Sequence, residues 1–168
     1  MSVQVSRQSG TTTVEFAIVG AVVFLVLFAV MEVGRLMYTW NLLNEASRRA
    51  ARLAAVCLVD EGVNGAVAGM VVDEVGGSLP GFTPANITLE YLDRNSGTAL
   101  ADPAGVDYGS IFYVRSRIAN YRYEMVLPLT VDLSMFAPDF ATTLRSENLG
   151  RIRTADHGGL SEAPCVGS

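Results

Sequence analysis

At 168 residues, with 12 basic and 17 acidic side chains and half of all positions hydrophobic, the chain has a net charge of −5 and about one domain's worth of length. No basic surplus exists to neutralise phosphates, which excludes nucleic-acid binding as the main role. Cys57 and Cys165 lie too far apart in sequence for a zinc cluster or C-x-x-C redox chemistry, and every basic side chain is arginine.

The first predicted element is apolar. Phe16 to Met31 reads FAIVGAVVFLVLFAVM without a charged side chain. With its flanking turns, from Val14 to Leu36, it supplies about 20–23 residues, enough to cross a hydrocarbon core of about 30 Å. A cleavable secretory signal fits less well, because the apolar pattern runs past Gly34 without a break and only Arg7 precedes it. Ser9-Gly10-Thr11-Thr12-Thr13-Val14-Glu15-Phe16 stands immediately before the run. A carboxylate at the edge of a membrane helix is costly, so Glu15 needs a partner or a functional reason. This arrangement resembles the precursors of type IV pilins. The resemblance implies cleavage after Gly10, Thr11 as the new N-terminus, Glu15 as the fifth mature residue and Phe16 as the sixth. Cleavage would free an amine about one helical turn from Glu15, and in a bundle the carboxylate of one subunit could neutralise the amine of another.

The helical pattern continues from Leu36 to about Val59. Leu36, Trp40, Leu43, Ala50, Ala54 and Leu58 recur at three- and four-residue steps, with Asn41, Asn44, Glu45, Arg48, Arg49 and Arg52 on the other side. Glu45 and Arg49 have the favourable i,i+4 order. Gly20 and Gly34 are the expected places for a kink or local loss of helix. Val14-Glu15-Phe16-Ala17, then Glu32-Val33-Gly34-Arg35, then the Ala/Arg run through Arg48, Arg49 and Arg52 resemble the TadE-like family of pilin-related proteins. That resemblance covers about the first 60 residues. It implies a minor pilin or pseudopilin of the tight-adherence (Flp, type IVc) pilus, acting in pilus assembly and adhesion. The implied partners are a prepilin peptidase, other pilins and pseudopilins, the inner-membrane assembly platform and membrane lipid.

Topology draws on two opposed signals. Arg35, Arg48, Arg49 and Arg52 follow the span while only Arg7 precedes it, the reverse of the usual cytoplasmic excess of positive charge. Glu32 and Glu45 offer local partners to these arginines, and a site at Gly10 must face a peptidase on the cytoplasmic side. The expectation is therefore a single-pass protein of the inner (cytoplasmic) membrane with its C-terminal domain outside the cytoplasm, and with passage into an extracellular pilus open to it.

Beyond the long helix, Asp60-Glu61-Gly62 is the expected break, and Asn64 the cap of a short helix ending at Gly76-Gly77. Leu79 to Pro84 is a turn-rich connector. Asn86 to Leu92 and Ile111 to Tyr123 read as strands, with weaker strands at Thr130–Leu133 and Thr142–Ser146. The fold class is α+β: a long membrane-spanning and amphipathic helix packed on a small antiparallel sheet. The divisions are a leader (1–10), a transmembrane segment (11–35), an amphipathic extension (36–59), an extracytoplasmic domain (60–150) and a polar, Gly-rich tail (151–168), mobile unless a disulfide holds it. Cys57 and Cys165 either remain free thiols or, outside the cytoplasm, close a loop of roughly 100 residues.

No enzyme motif, metal-ligand set or cofactor fingerprint is recognisable. His157, the only histidine, lies in the Gly-rich tail. Asp93-Arg94-Asn95-Ser96-Gly97 opens like a calcium loop but has Thr98 where glycine is needed and Ala104 where the bidentate glutamate belongs, so an Asx-type turn fits better. Arg115 and Arg117 share one face of their strand, a solvated or partner-facing one. The competing reading is a signal-anchored periplasmic binding protein that keeps its leader and enters no filament.

Overall fold

In the computed structural model the residues described are 9–95, 97–125, 130–132, 140–153 and 160–165. Helix α1 runs from Ser9 to Val56. It passes unbroken through Gly20 and Gly34, where an interruption was expected. The reason is energetic: a helical glycine costs about 1 kcal/mol relative to alanine, whereas an unpaired peptide group in an apolar setting costs several.

The chain divides into two compact units at Tyr38–Thr39. In the first, α1 presents an apolar surface, with Val14, Phe16, Val22, Phe24, Leu27, Phe28 and Met31 all more than half exposed.

The second unit contains the rest of α1, short helix α2 (Val59–Val63), helix α3 (Ala66–Val75) and strands β1 (Ile87–Leu92), β2 (Tyr113–Ile118), β3 (Arg122–Glu124), β4 (Thr130–Asp132), β5 (Phe140–Arg145), β6 (Arg151–Arg153) and β7 (Leu160–Glu162). Strands β1, β2 and β5 form a three-stranded sheet in that order, and β3–β4 and β6–β7 are separate two-stranded pairs. All pairings are antiparallel. The sheet's inner face meets the C-terminal half of α1, where Leu43, Ala46, Ala50, Ala51 and Ala54 are completely buried. Alanines at helical spacing let helix and sheet approach closely, while Leu43 supplies bulk worth about 2 kcal/mol of apolar burial. Trp40 meets Phe140 of β5 edge-on at 5.2 Å, and the Ser47 hydroxyl donates to the Thr142 hydroxyl at 3.1 Å. These contacts fix how this half of α1 lies on the sheet.

Two element boundaries differ from the sequence expectation. The long helix ends at Val56, and Asp60, Glu61 and Gly62 lie inside α2 instead of forming the break. The chain turns at Leu58, whose ψ of 140° is extended. There the Glu61 carboxylate accepts the Leu58 N–H at 3.2 Å and starts α2. The single strand expected over Ile111–Tyr123 is two, because Asn120 adopts a φ of 58°, a left-handed conformation that ends β2 and redirects the chain into β3. Asn64 does act at the start of α3: its side-chain oxygen accepts the Ala66 N–H at 2.9 Å. Between them Gly65 takes a φ of 88°, which a residue with a Cβ would resist.

Candidate functional site

The N-terminal half of α1 brings the sequence-predicted processing residues onto one element. Gly10 and Thr11 fall in its first turn, and Glu15 and Phe16 follow about one turn later. Glu15 is exposed and Phe16 is 79% exposed at the head of the apolar surface. From Thr12 to Tyr38 the helix is about 40 Å long at its ordinary rise, more than the hydrocarbon thickness of a bilayer. Among the described residues it is the one helix that by length and composition is long and apolar enough to cross a membrane. Near the far end of the apolar run Arg35 pairs with Glu32 at 3.4 Å, three residues apart, with Gly34 between them opening the helix surface.

Further along α1 the polar stripe behaves as its spacing requires. Arg48 and Arg52 are exposed. The Arg49 guanidinium donates to the Glu45 carboxylate at 2.9 Å and also pairs with Glu74 of α3. The hydrogen bond from Arg49 holds the Glu45 carboxyl below its usual range, and the same bond raises Arg49. Glu74 carries no signal in sequence, because the contact depends on how α3 folds back.

Where α1 ends, three separate chain segments meet. Cys57, fully buried, is disulfide-bonded to Cys165, and their Cα atoms are 5.4 Å apart. The buried Glu61 carboxylate accepts the Cys165 N–H at 3.0 Å in addition to the Leu58 N–H. Cys57, Glu61 and Cys165 place their ligand-type atoms within 4.8 Å of one another, but the disulfide occupies both sulfurs, so no thiolate is available for a metal. The carbonyl of Ala55 accepts from the Glu147 and Leu149 N–H groups, and that of Val56 accepts the Gly150 N–H at 2.7 Å. Those are carbonyls a helix end otherwise leaves unpaired. The Ala163 N–H then donates to the Gly150 carbonyl at 2.7 Å. With the disulfide in place, β6 and β7 are tied to the end of α1.

The aromatic residues of the sheet region separate by depth. Tyr121 and Tyr123 are buried, Tyr108 and Phe112 half-buried and Tyr113 exposed. Arg115 and Arg117 share the outer face of β2, opposite the buried Val114, Ser116 and Ile118. Ser96 of the Asp93–Gly97 stretch and His157 lie outside the described residues. An Asx-type turn that the sequence did not reveal forms at Asp102, whose carboxylate accepts the Gly105 and Val106 N–H groups at 3.1 and 3.2 Å. Tyr91 is 1% exposed, lies against Gly62, and its hydroxyl has no hydrogen-bond partner among the described residues. Burial raises its pKa strongly, and the charges of Asp60 and Glu61 add to the shift. Tyr91 and Gly62, together with Gly65, Ile87, Leu89 and Leu100, line a groove of about 360 Å³.

Neither the curated proteins nor the solved structures include a significant match to the chain. A family model does match. It is described as TadE-like protein and covers residues 10–52, from the glycine ahead of the apolar helix to the last arginine of its polar stripe. The similarity to that family lies over this segment, which contains Glu15, Phe16, Glu32, Gly34, Arg35, Arg48, Arg49 and Arg52.

Proposed function

We propose that this chain is a minor pilin or pseudopilin of a Tad (Flp, type IVc) pilus, processed by a prepilin peptidase after Gly10 and acting in pilus assembly and adhesion. The observation that carries the reading is the exposed apolar half of α1, headed by Glu15 five residues past Gly10 and lying within the TadE-like segment. A helix with no buried side inside its own unit needs an apolar surrounding, and lipid and a bundle of similar helices both supply one. In the bilayer it anchors the subunit. In a filament it packs against other pilins, with Glu15 positioned to neutralise the α-amino group of Thr11 on a neighbour.

The second unit would then lie outside the cytoplasm of an inner-membrane protein. Its disulfide supports that placement, because such bonds persist in oxidising compartments and are rare in the cytosol. No part of this role calls for catalysis or a cofactor; the partners are the peptidase, other pilins and pseudopilins, the assembly platform and lipid.

N-terminal mass spectrometry of the chain from membranes and from sheared surface material tests the reading. A mature N-terminus at Thr11, lost in Gly10→Ala, is the expected result. Retention of Met1 to Gly10 would remove the pilin reading and leave a signal-anchored binding protein.

A further inference from the structure

We propose that the outer face of the β1–β2–β5 sheet is a binding surface for a linear anionic polysaccharide of the uronate class. This rests neither on processing at Gly10 nor on entry into a filament. The acidity of the chain resides entirely in its second unit, where residues 39–168 hold fifteen carboxylate side chains against ten arginines. The outer sheet face has the opposite sign. Arg115 and Arg117 project from β2 and Arg145 from β5, and Glu90 is the only carboxylate at the strand positions of this face. Arg94, just beyond β1, lies 3.9 Å from the centre of the Phe112 ring, and Arg145 lies 5.5 Å from the same ring. Stacking of this kind holds a guanidinium by its flat side and leaves its in-plane N–H groups free for a carboxylate.

The remaining features suit a sugar chain. Tyr113 is exposed and sits opposite Arg145 in the strand register, so the Cβ atoms of these cross-strand neighbours are about 5 Å apart and the ring and the guanidinium start from the same face. Thr88 and Thr143 are exposed on the same face and add hydroxyls that both donate and accept. Arg115 is held by Glu90 at 2.5 Å, and Arg117 is half-buried with its Nε lacking a hydrogen-bond partner among the described residues.

Size decides between occupants. Three strands about 4.8 Å apart and six residues long give a face of roughly 10 by 20 Å, far below the roughly 800 Å² per partner of a stable protein complex. Single-stranded nucleic acid stacks successive bases on several aromatic rings, and Tyr113 is the one exposed ring on the face. A linear polymer with one carboxylate per sugar meets both constraints. The remainder of the unit is net acidic.

The test uses the full chain in detergent micelles at about 50 mM salt, with immobilised polygalacturonate as probe and neutral dextran, polyglutamate and an oligothymidylate as comparisons. Expected is saturable binding to polygalacturonate and none to dextran. Binding should weaken about tenfold or more in the double variant Arg117→Gln/Arg145→Gln, and by no more than about twofold in Arg151→Gln/Arg153→Gln, which removes the same charge from β6. Tyr113→Ala keeps every charge and should weaken binding several-fold, so the proposal stays testable should the double arginine variant fold poorly. Equal losses in both double variants, tighter binding to polyglutamate or oligothymidylate, or no binding to polygalacturonate would overturn it.

Discussion

Gly150 lies so close to Leu58 that a Cβ on the glycine would stand 2.6 Å from the Leu58 backbone nitrogen. Its φ of 74° is in the left-handed region, and its N–H is the group that caps the Val56 carbonyl. Gly150→Ala therefore has to relieve a contact with backbone, which cannot swing aside, while holding an unfavourable φ. The expected loss of stability is about 2 kcal/mol or more. Trp40, the only tryptophan, packs on Phe140 and reports the native state. Denaturant titration of its fluorescence in the full chain should show a lower midpoint for Gly150→Ala, and an unchanged midpoint would mean that the clamp does not hold the helix end.

The Cys57–Cys165 bond joins residues 108 apart in sequence. On the chain-entropy model such a loop contributes about 4–5 kcal/mol by restricting the unfolded chain. Reduction, or Cys57→Ser with Cys165→Ser, should lower the Trp40 unfolding midpoint by an amount of that order. In the reduced protein β6 and β7 should also become more open to proteolysis than the β1–β2–β5 sheet, because beyond the β6–β7 pairing only two hydrogen bonds, Ala163 N–H to the Gly150 carbonyl and Cys165 N–H to the Glu61 carboxylate, remain to tie β7 back. Equal protease sensitivity of the two regions would contradict that role.

How far the sequence carries the fold depends on the range of each interaction. The 3- and 4-residue spacing of Leu43, Ala50 and Ala54 is local, and all three are fully buried; the Glu45–Arg49 pair is equally local and forms as spaced. Partners set by the third dimension were not legible. Glu74 reaches Arg49 only because α3 folds back, and Gly150 meets Leu58 only because the chain returns from the sheet to the end of α1. Asn120 hid the division of one predicted strand into two, since its neighbours keep a strand composition and only its positive φ breaks the run. Asp60-Glu61-Gly62 looked like a helix breaker for the opposite reason. Asp60 and Gly62 disfavour a helix interior, but Glu61 reaches back to the Leu58 N–H and starts a new helix. For the candidate site, Gly10, Glu15 and Phe16 are picked out by the resemblance of their order to type IV pilin precursors. The arginine face of the sheet was half visible in the alternation of Arg115 and Arg117, but Arg94 and Arg145 join it only through strand pairing and the Phe112 ring.

Tyr91 connects burial to pH. Its hydroxyl is buried without a partner among the described residues and its pKa is raised strongly, first by desolvation and then by Asp60 and Glu61. Below about pH 10, the ordinary tyrosine value, both folded and unfolded states keep the proton and stability is level. Above it the unfolded chain releases the proton while the folded chain retains it, so stability falls as pH rises, by up to about 1.4 kcal/mol per pH unit for this group. Tyr108, raised less by burial, adds in the same direction. Tyr91→Phe should flatten that decline and leave neutral-pH stability unchanged or higher, since it removes an unpaired buried hydroxyl. An unchanged alkaline decline in the variant would show that the fold does not hold Tyr91 protonated, and a loss of neutral-pH stability would show that the hydroxyl is satisfied.

Glu15 separates assembly from folding. It lies in the first unit, far along the chain from the core residues Leu43 to Leu149 of the second, and its side chain is exposed. Replacing it with alanine deletes a charge without opening a cavity, and Trp40-monitored stability of the second unit should stay within about 0.5 kcal/mol. If the carboxylate neutralises the Thr11 amine of a neighbour inside an apolar bundle, losing it leaves that amine unpaired in low dielectric, where an uncompensated charge costs about 3–5 kcal/mol. Glu15→Ala should therefore leave membrane insertion and cleavage after Gly10 intact while sharply reducing the chain in sheared surface material. Glu15→Asp keeps the charge on a shorter arm and should recover part of the yield. Wild-type surface yield from Glu15→Ala would remove the carboxylate from the assembly mechanism, and an equal loss of membrane-bound protein would place its role in insertion instead.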